Sequence, residues 1–429
     1  MKQINIGLIG LGTIGTGVVK TLQQNRELIS QRIGLTFNIT KIADLDLATD
    51  RGISLADYEL TTDANEIVNS PDIDIVIELI GGYDKANEFI TKALNNKKHV
   101  ITANKALLCL QGKKLFELAQ KNRVNLLYEA SVGGGIPIIK AIKESLQANR
   151  INSLYGIING TANYILSNMS EKNISFLEAL DQATAKGYAE SDPSLDVEGI
   201  DSGHKLVILA SLCFDTWIDY DNVYVEGISH ITAQDIQYAK ELGYTIKLLA
   251  ITKEDNDGIE VRVHPTFVPQ HHPLASVNGT FNAVCINGNI IGETLFYGKG
   301  AGELPTASAV VSDAIDIAKN MRNNEPLFSN YHNREYKNIK SIDKVSCKAY
   351  LKIMVEDKPG VLAQIATILG EQQISISSVI QKEEVGGTVP LILMIHKAKS
   401  KNIKAALEKI SKLSIVRDTI TMIRVEGEE

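Results

Sequence analysis

Apolar and polar positions follow two rhythms along the chain. In the first third, short continuous apolar runs alternate with amphipathic stretches. Ile4–Ile9, Leu35–Ala43, Ile73–Ile77, Lys98–Thr102 and Val124–Leu127 read as strands. Thr13–Leu28, Lys85–Asn95 and Lys105–Asn122 repeat apolar residues at helical spacing. Buried strands alternating with helices predict a parallel sheet covered on both faces. The middle of the chain mixes the two rhythms. Ile151–Ile158 is a strand, then helical patterns run near Asn163–Met169, Ser175–Ala185 and Gly199–Leu212. Strand patterns return at Thr245–Ile251, Ile259–Val268 and Thr280–Glu293, so residues 131–305 read as an α+β substrate and oligomerisation domain. A helix over Thr306–Met321 has the length to pack back on residues 1–130.

Residues 322–346 are polar and read as a linker. Beyond them, Ala349–Val355, Val361–Glu371, Ile374–Gln381, Thr388–His396, Asn402–Lys412 and Val416–Val425 spell strand, helix, strand, strand, helix, strand. That is the ferredoxin-like order, and it sets residues 347–429 apart as a small α/β module.

Composition narrows the class. The 429 residues suit about three domains. Acidic residues exceed basic ones for a net charge of −7, which weighs against nucleic-acid or anionic-membrane partners. The longest apolar runs, Leu206–Phe214 and Val389–Ile395, are too short for a membrane span. The N-terminus enters a strand at once, with no basic leader. Cys109, Cys213, Cys285 and Cys347 are scattered without disulfide or zinc spacing. The expectation is a cytoplasmic multidomain protein.

Gly10-Leu11-Gly12-Thr13-Ile14-Gly15 follows the first strand and opens a helix. Gly10 permits the tight turn, Gly12 lets the backbone approach a pyrophosphate, and Gly15 lets helix and strand pack closely. The amides of Thr13, Ile14 and Gly15 would face the phosphates. The pattern predicts a Rossmann-type doubly wound sheet that binds a dinucleotide, with a nicotinamide cofactor, NAD(P)(H), as the expectation. Asp44, at the end of the second strand, would bond a ribose 2′-hydroxyl and so leans toward NAD. It lies 29 residues after Gly15, against the usual ~20. Arg51 is the group that would favour a 2′-phosphate, and the other reading of Asp44 and Asp46 is a capped turn.

The densest chemistry lies in Gly187–Lys205, with five acids and a lysine. Asp201 and Lys205 are four apart and share a helix face. The apolar run Leu206–Leu209 predicts that this helix is buried, where a paired Asp and Lys are seldom idle. The string Ala183-x3-Gly187-Tyr188-Ala189-x2-Asp192-Pro193-x2-Asp196-Val197-x-Gly199-x-Asp201-x3-Lys205 resembles the signature of the homoserine dehydrogenase family, with every fixed position filled. The resemblance extends to the glycine loop, Thr102-Ala103-Asn104-Lys105, Tyr128–Pro137, Asn159–Tyr164 and Gly298–Gly302. It implies the monofunctional form and the NAD(P)-dependent interconversion of L-homoserine and L-aspartate 4-semialdehyde in threonine, methionine and isoleucine biosynthesis.

The same resemblance implies residue roles. Lys205 would exchange a proton with the substrate 4-oxygen, and Asp201 would bond the substrate and orient Lys205. Glu190 would bind the substrate ammonium group, with Gly187, Tyr188, Asp196 and the Gly302 amide completing the pocket. Lys105 would sit between cofactor and substrate, with Thr102 and Gly160 beside the cofactor. Glu129, Val132, Gly134 and Ile136 match positions where the family holds a monovalent cation, Na+ or K+, through hard oxygens. Taken alone, Lys105 reads equally as a surface helix-start lysine, Asp196 as a loop cap, Tyr188 as packing, and residues 129–136 as a glycine-rich turn. His271-His272 has no third ligand at metal spacing.

Val355-Glu356-Asp357-Lys358-Pro359-Gly360-Val361-Leu362 is similar to the ACT regulatory family. The turn at Asp357 and Gly360 would present helix amides to an amino-acid carboxylate, which implies feedback by L-threonine. The other reading is a dimerisation module without ligand. A homo-oligomer, at least a dimer, is expected. Removal of residues from about 346 onward is expected to spare catalysis and abolish inhibition. Two alternatives stand beside the enzyme: a non-catalytic amino-acid sensor, and a dehydrogenase of another amino-acid aldehyde.

Overall fold

The structure is a computed structural model that describes residues 2–323, 337–381 and 387–427. Along the chain run β1 (Lys2–Ile9), α1 (Thr13–Gln24), α2 (Arg26–Ile33), β2 (Leu35–Ala43), β3 (Glu59–Thr61), α3 (Asn65–Asn69), β4 (Ile75–Glu78), α4 (Asp84–Asn95), β5 (His99–Thr102), α5 (Lys105–Asn122), β6 (Leu126–Leu127) and the short α6 (Ile138–Lys140). Next come β7 (Ile151–Ile157), α7 (Gly160–Lys172), α8 (Phe176–Ala185), α9 (Ser194–Val197), α10 (Ile200–Phe214), β8 (Tyr224–Val225), α11 (Ala233–Glu241), β9 (Tyr244–Asp255) and β10 (Gly258–Pro269). The chain then forms β11 (Phe281–Gly288), β12 (Gly292–Lys299), α12 (Glu303–Asn323), β13 (Ser346–Glu356), α13 (Val361–Glu371), β14 (Ile376–Gln381), β15 (Thr388–Lys399), α14 (Ser400–Ile410) and β16 (Thr421–Val425).

Two compact units result, and neither is a linear segment. The first gathers residues 1–160, 201–221 and 280–337. Its parallel sheet has the order β3-β2-β1-β4-β5-β6, the doubly wound arrangement that the strand–helix alternation predicts. Helix α12 shares this core: Ala307, Val310, Ala314 and Ile317 pack with Ile4, Leu8, Val18 and Ile39. A β-carbon on Gly17 of α1 would lie 2.8 Å from the Glu303 carbonyl oxygen, so glycine there lets the two helices approach. The same unit holds β7 and the β11–β12 hairpin, paired antiparallel.

The second unit gathers residues 161–200, 222–279 and 338–429. Here β9 and β8 pair with β10, and β16 pairs parallel with β10. The C-terminal module has the antiparallel order β16-β13-β15-β14 with its own core around Leu351, Ile365, Leu393 and Ile403. That order is the ferredoxin-like one. The module is nevertheless not a detached body, because its last strand is hydrogen-bonded to β10 and charges are buried between them. Arg262, 1 % exposed, pairs with Glu426 at 2.6 Å, and Lys352 pairs with Asp235 of α11 at 2.7 Å. Removing the module would separate these pairs.

Other boundaries differ for local reasons. The single helix expected over Thr13–Leu28 breaks at Asn25, whose φ of −108° leaves the helical region, and α2 starts afresh. The run Thr280–Glu293 is a hairpin, turned between Gly288 and Gly292. The last strand begins at Thr421, five residues later than expected. Of the expected linker 322–346, residues 324–336 lie outside the described residues. Asn338 and Lys340 are not linker-like: they exchange backbone hydrogen bonds with Ile259, and Lys340 is buried against Asp255. Helix α11 escaped the hydrophobic pattern, although its capping box Thr232 and Asp235 was legible.

Candidate active site

The turn after β1 shows what its glycines are for. A β-carbon on Gly15 would lie 2.1 Å from the Gly10 carbonyl oxygen, and one on Gly10 would lie 2.8 Å from Leu79, with φ at +98°. Gly12 faces open space and starts α1 with no side-chain cap, so the Thr13, Ile14 and Gly15 amides are presented outward. The residues fit a dinucleotide pyrophosphate.

Asp44 stands beside this turn. Its carboxylate accepts from the Leu11 amide at 2.5 Å and the Asp46 amide at 2.8 Å. Asp46 caps its own turn through Ala48 and Thr49, as the alternative reading held. Arg51, nearly buried, lies 3.7 Å from Asp44 and is held by the Asp46 and Thr49 carbonyls. The ribose end therefore carries an acid and a guanidinium together.

Glu78 and Thr102 end adjacent strands β4 and β5 and are fully buried. The Thr102 hydroxyl donates to Glu78 at 2.6 Å and accepts from the Asn104 amide, so this threonine braces the loop. Burial pushes the Glu78 carboxyl up to about 7. Asn104 then caps α5 through the Leu107 amide, placing Lys105 at the first helical position. A cation there opposes the helix dipole, and an anion offsets it: Lys105 Nζ lies 3.1 Å from Asp201 Oδ1.

Asp201 is the hub. It is buried in the first turn of α10, after Gly199 with φ at +79°. Its Oδ2 accepts from Lys205 Nζ at 2.6 Å and from Asn159 Nδ2 at 2.9 Å. Lys205 Nζ also donates to the Ile158 carbonyl at 2.8 Å, which leaves its third N–H without a partner among the described residues. Burial alone would raise the Asp201 carboxyl, but the two lysines outweigh it and hold it well below the carboxylate range. Asn159 and the Ile158 carbonyl, at the carboxyl end of β7, had no sequence-assigned role. The signals for Asn159 were its place before Gly160 at a strand end and its membership of the segment Asn159–Tyr164 that carries the family resemblance. A β-carbon on Gly160 would lie 2.9 Å from the Thr280 carbonyl oxygen, so this residue is a close-approach glycine.

The glycine run around 300 lies against residues 133–136. A β-carbon on Gly134 would lie 2.5 Å from the Gly300 carbonyl oxygen, and Gly135 N donates to Lys299 O. Gly302, with φ at +120°, opens α12 and accepts from the Thr306 amide. The Glu129 carboxylate oxygens accept amides at the start of α6, from Ile139 at 2.9 Å and Lys140 at 2.8 Å, and burial raises the group to about 7. Each oxygen keeps a further lone pair, so the carboxylate and the main-chain oxygens of residues 129, 132, 134 and 136 are the hard donors that a monovalent ion would use there. Among the described residues no cluster of His, Cys, Asp and Glu could hold a metal.

In the second unit, Gly187 (φ +72°), Tyr188, Glu190 and Asp192 line an exposed loop that leads through α9, with Asp196, to Gly199. Tyr188 packs edge-on against Tyr164 at 5.0 Å, and Thr161 donates to the Tyr188 carbonyl. In the C-terminal module, Gly360 (φ +87°) starts α13 without a side-chain cap and, among the described residues, has open space beside it, while Asp357 accepts from Gln381.

Comparison with known proteins decides the family. A profile described as homoserine dehydrogenase matches residues 137–315, its NAD-binding domain matches 10–129, and an ACT domain matches 349–414. Homoserine dehydrogenase of Neisseria gonorrhoeae is 45% identical over 433 residues, spanning 100% of this chain and 99% of its own length. The chain belongs to the homoserine dehydrogenase family. The crystal structure of a homoserine dehydrogenase from Thiobacillus denitrificans superposes with a TM-score of 0.96 at 43% identity, over 100% of this chain and 99% of that one. A hyperthermophilic archaeal homoserine dehydrogenase in complex with NADPH is similar at 26% identity and a TM-score of 0.63, over 73% of this chain and 97% of that one. As a family member the chain is an oxidoreductase of amino-acid biosynthesis, interconverting L-homoserine and L-aspartate 4-semialdehyde with a nicotinamide cofactor. The sensor without turnover loses its ground.

Proposed function

We propose that the Lys105–Asp201–Lys205 cluster carries the proton chemistry of this reaction. The observation that carries the reading is the buried Asp201 shared by two ammonium groups, one of which keeps a free N–H. When bound, the nicotinamide exchanges hydride with substrate C4. In the oxidative direction Lys205 enters as the neutral amine, its third proton already released to solvent, and the Nζ lone pair takes the 4-hydroxyl proton; in the reductive direction the ammonium gives that proton to the 4-oxygen. Asp201 stays anionic at neutral pH, bonds the substrate and aims Lys205. Lys105 orients the cofactor face of the substrate. Glu190 is assigned to the substrate ammonium, and Gly187, Tyr188, Asp196 and the Gly302 amide are each assigned to substrate binding. A monovalent ion, where one binds, rests on the Glu129 carboxylate and the main-chain oxygens of residues 129–136.

The cofactor reading shifts from the lean toward NAD. Asp44 suits a ribose diol, but Arg51 beside it suits a 2′-phosphate, and the archaeal relative binds NADPH. We assign acceptance of both dinucleotides, with Arg51 supporting NADP. L-threonine is the proposed effector at Asp357 and Gly360. The proposed oligomer is at least a dimer, and the proposed location is the cytoplasm. Among the described residues no helix is long and apolar enough to cross a membrane.

Absorbance at 340 nm with L-homoserine tests this, comparing NAD with NADP, with and without L-threonine. Turnover with both cofactors is expected, and Arg51→Ala should lower kcat/KM for NADP about tenfold more than for NAD. An unchanged ratio removes Arg51 from cofactor choice.

A further inference from the structure

We infer that Arg424 and Glu226 are positioning residues for the reaction: the last strand of the C-terminal module holds the base of the substrate loop. Arg424 lies on β16 and is 6 % exposed. Its Nη1 donates to Glu226 Oε2 at 2.8 Å, and its Nη2 reaches the Tyr224 hydroxyl at 3.4 Å. That hydroxyl donates to the same Glu226 oxygen at 2.7 Å, and the guanidinium lies 4.8 Å from the centre of the Tyr224 ring. Guanidinium, phenol and carboxylate thus form a closed triangle in which the guanidinium is buried and the other two groups are half-buried, and such charge-assisted bonds are directional.

The triangle sits on a rigid frame. β10 pairs on one side with β16, matching Thr266 to Arg424, and with β8, matching Arg262 to Tyr224. The Glu226 amide donates to Val263 of β10 at 2.8 Å. From Glu226 the chain runs directly onto the loop. A β-carbon on Gly227 would lie 2.5 Å from the Val197 carbonyl oxygen and 2.6 Å from Glu198 Cα, so the two backbones touch. Ile228 N donates to Val197 O at 2.8 Å. A β-carbon on Gly199 would lie 3.2 Å from Val225. Val197–Gly199 is where the loop bearing Glu190 and Asp196 ends, two residues before Asp201. A shift of β16 therefore reaches the loop through one ion pair and one backbone contact. The inference rests on the proposed reading of residues 187–199 as the substrate loop.

The test uses the full chain and the variants Arg424→Met, Glu226→Gln and the double variant. Homoserine KM, kcat, NADPH binding by fluorescence, Tm and deuterium exchange of residues 187–199 are measured. Each single variant should raise homoserine KM about tenfold, keep kcat within roughly threefold, leave NADPH binding unchanged and speed exchange in 187–199. The double variant should regain Tm, since it buries no unpaired charge, and keep the raised KM. KM recovering together with Tm would reduce the pair to fold support and overturn the inference. Wild-type KM and exchange in the single variants would also overturn it. If Arg424→Met does not fold, Arg424→Lys keeps the charge without the forked geometry: an intermediate KM supports the inference, and a wild-type KM overturns it. Glu190→Gln separates the two readings. Unchanged homoserine KM there, with faster loop exchange in Arg424→Met, keeps the tether and overturns the substrate assignment of the loop.

Discussion

Asp201 reconciles three requirements at one buried carboxylate: it neutralises Lys105, aims Lys205 and accepts from Asn159. Its folded-state pKa is depressed, so the stability it contributes is full above the unfolded carboxylate range and is lost as pH falls toward the folded value. Glu78 has the opposite sign. Burial raises it from 4.5 to about 7, so between those values the folded state holds a proton that the unfolded chain has released. Stability then falls as pH rises from about 4.5 to about 7 and is flat above, by an amount on the order of 3 kcal/mol. Glu78→Gln accepts from the Ile80 amide through Oε1 and donates to the Thr102 hydroxyl through Nε2, as the protonated acid would, so it should raise Tm at pH 8 by several degrees, at roughly 2–4 °C per kcal/mol, and change it little at pH 5. Equal Tm shifts at both pH values, read by calorimetry, would contradict a buried titrating carboxyl. At this scale the sequence was uneven. Gly10 and Gly15 announce their roles because backbone geometry leaves no other residue, and Gly12 because its place in the motif calls for open space beside it. Asn159 and Glu78 do not, because their importance lies in partners 42 and 24 residues away along the chain.

Among the elements, periodic ones were read closely: β2, α5 and α13 have the expected bounds. Those missed are short, such as β3 and β8, or lie where polar turns interrupt an apolar run, as in the β11–β12 hairpin. That hairpin carries the argument for a dimer. Along β12 exposed and half-buried residues alternate, and Leu295 and Tyr297 stand on the outer face, 39% and 55% exposed. Phe281 stacks on Tyr297 at 5.1 Å, and Ile290 and Ile291 project from the turn. An apolar outer strand of this kind invites pairing with a second copy. Tyr297→Glu with Leu295→Lys should therefore shift the sedimentation of the chain to that of a monomer. An unchanged sedimentation coefficient would place the interface elsewhere.

For the molecule as a whole, the linear order of motifs concealed how the chain divides. Patterns of apolar residues locate strands and helices, but they do not show that α12 returns to the nucleotide sheet or that β16 joins β10. The archaeal relative matches only 73% of the chain. In this chain the C-terminal module is bound in by buried charge. Excising residues 346–429 removes Glu426 from Arg262, Lys352 from Asp235 and Arg424 from Glu226. The excision also uncovers β10 and the Phe267 ring that packs on Tyr350, so the truncated chain should melt well below the full-length Tm. A cooperative melt of the truncated chain near the full-length Tm would contradict this.

The central claim is that Lys205, fixed by Asp201 and the Ile158 carbonyl, moves the proton. The most direct measurement is L-homoserine oxidation at 340 nm by the wild type and Lys205→Met, with NADPH binding as the control. The account predicts a loss in kcat of about 10²–10⁴ with cofactor binding retained. Near-wild-type turnover would contradict it.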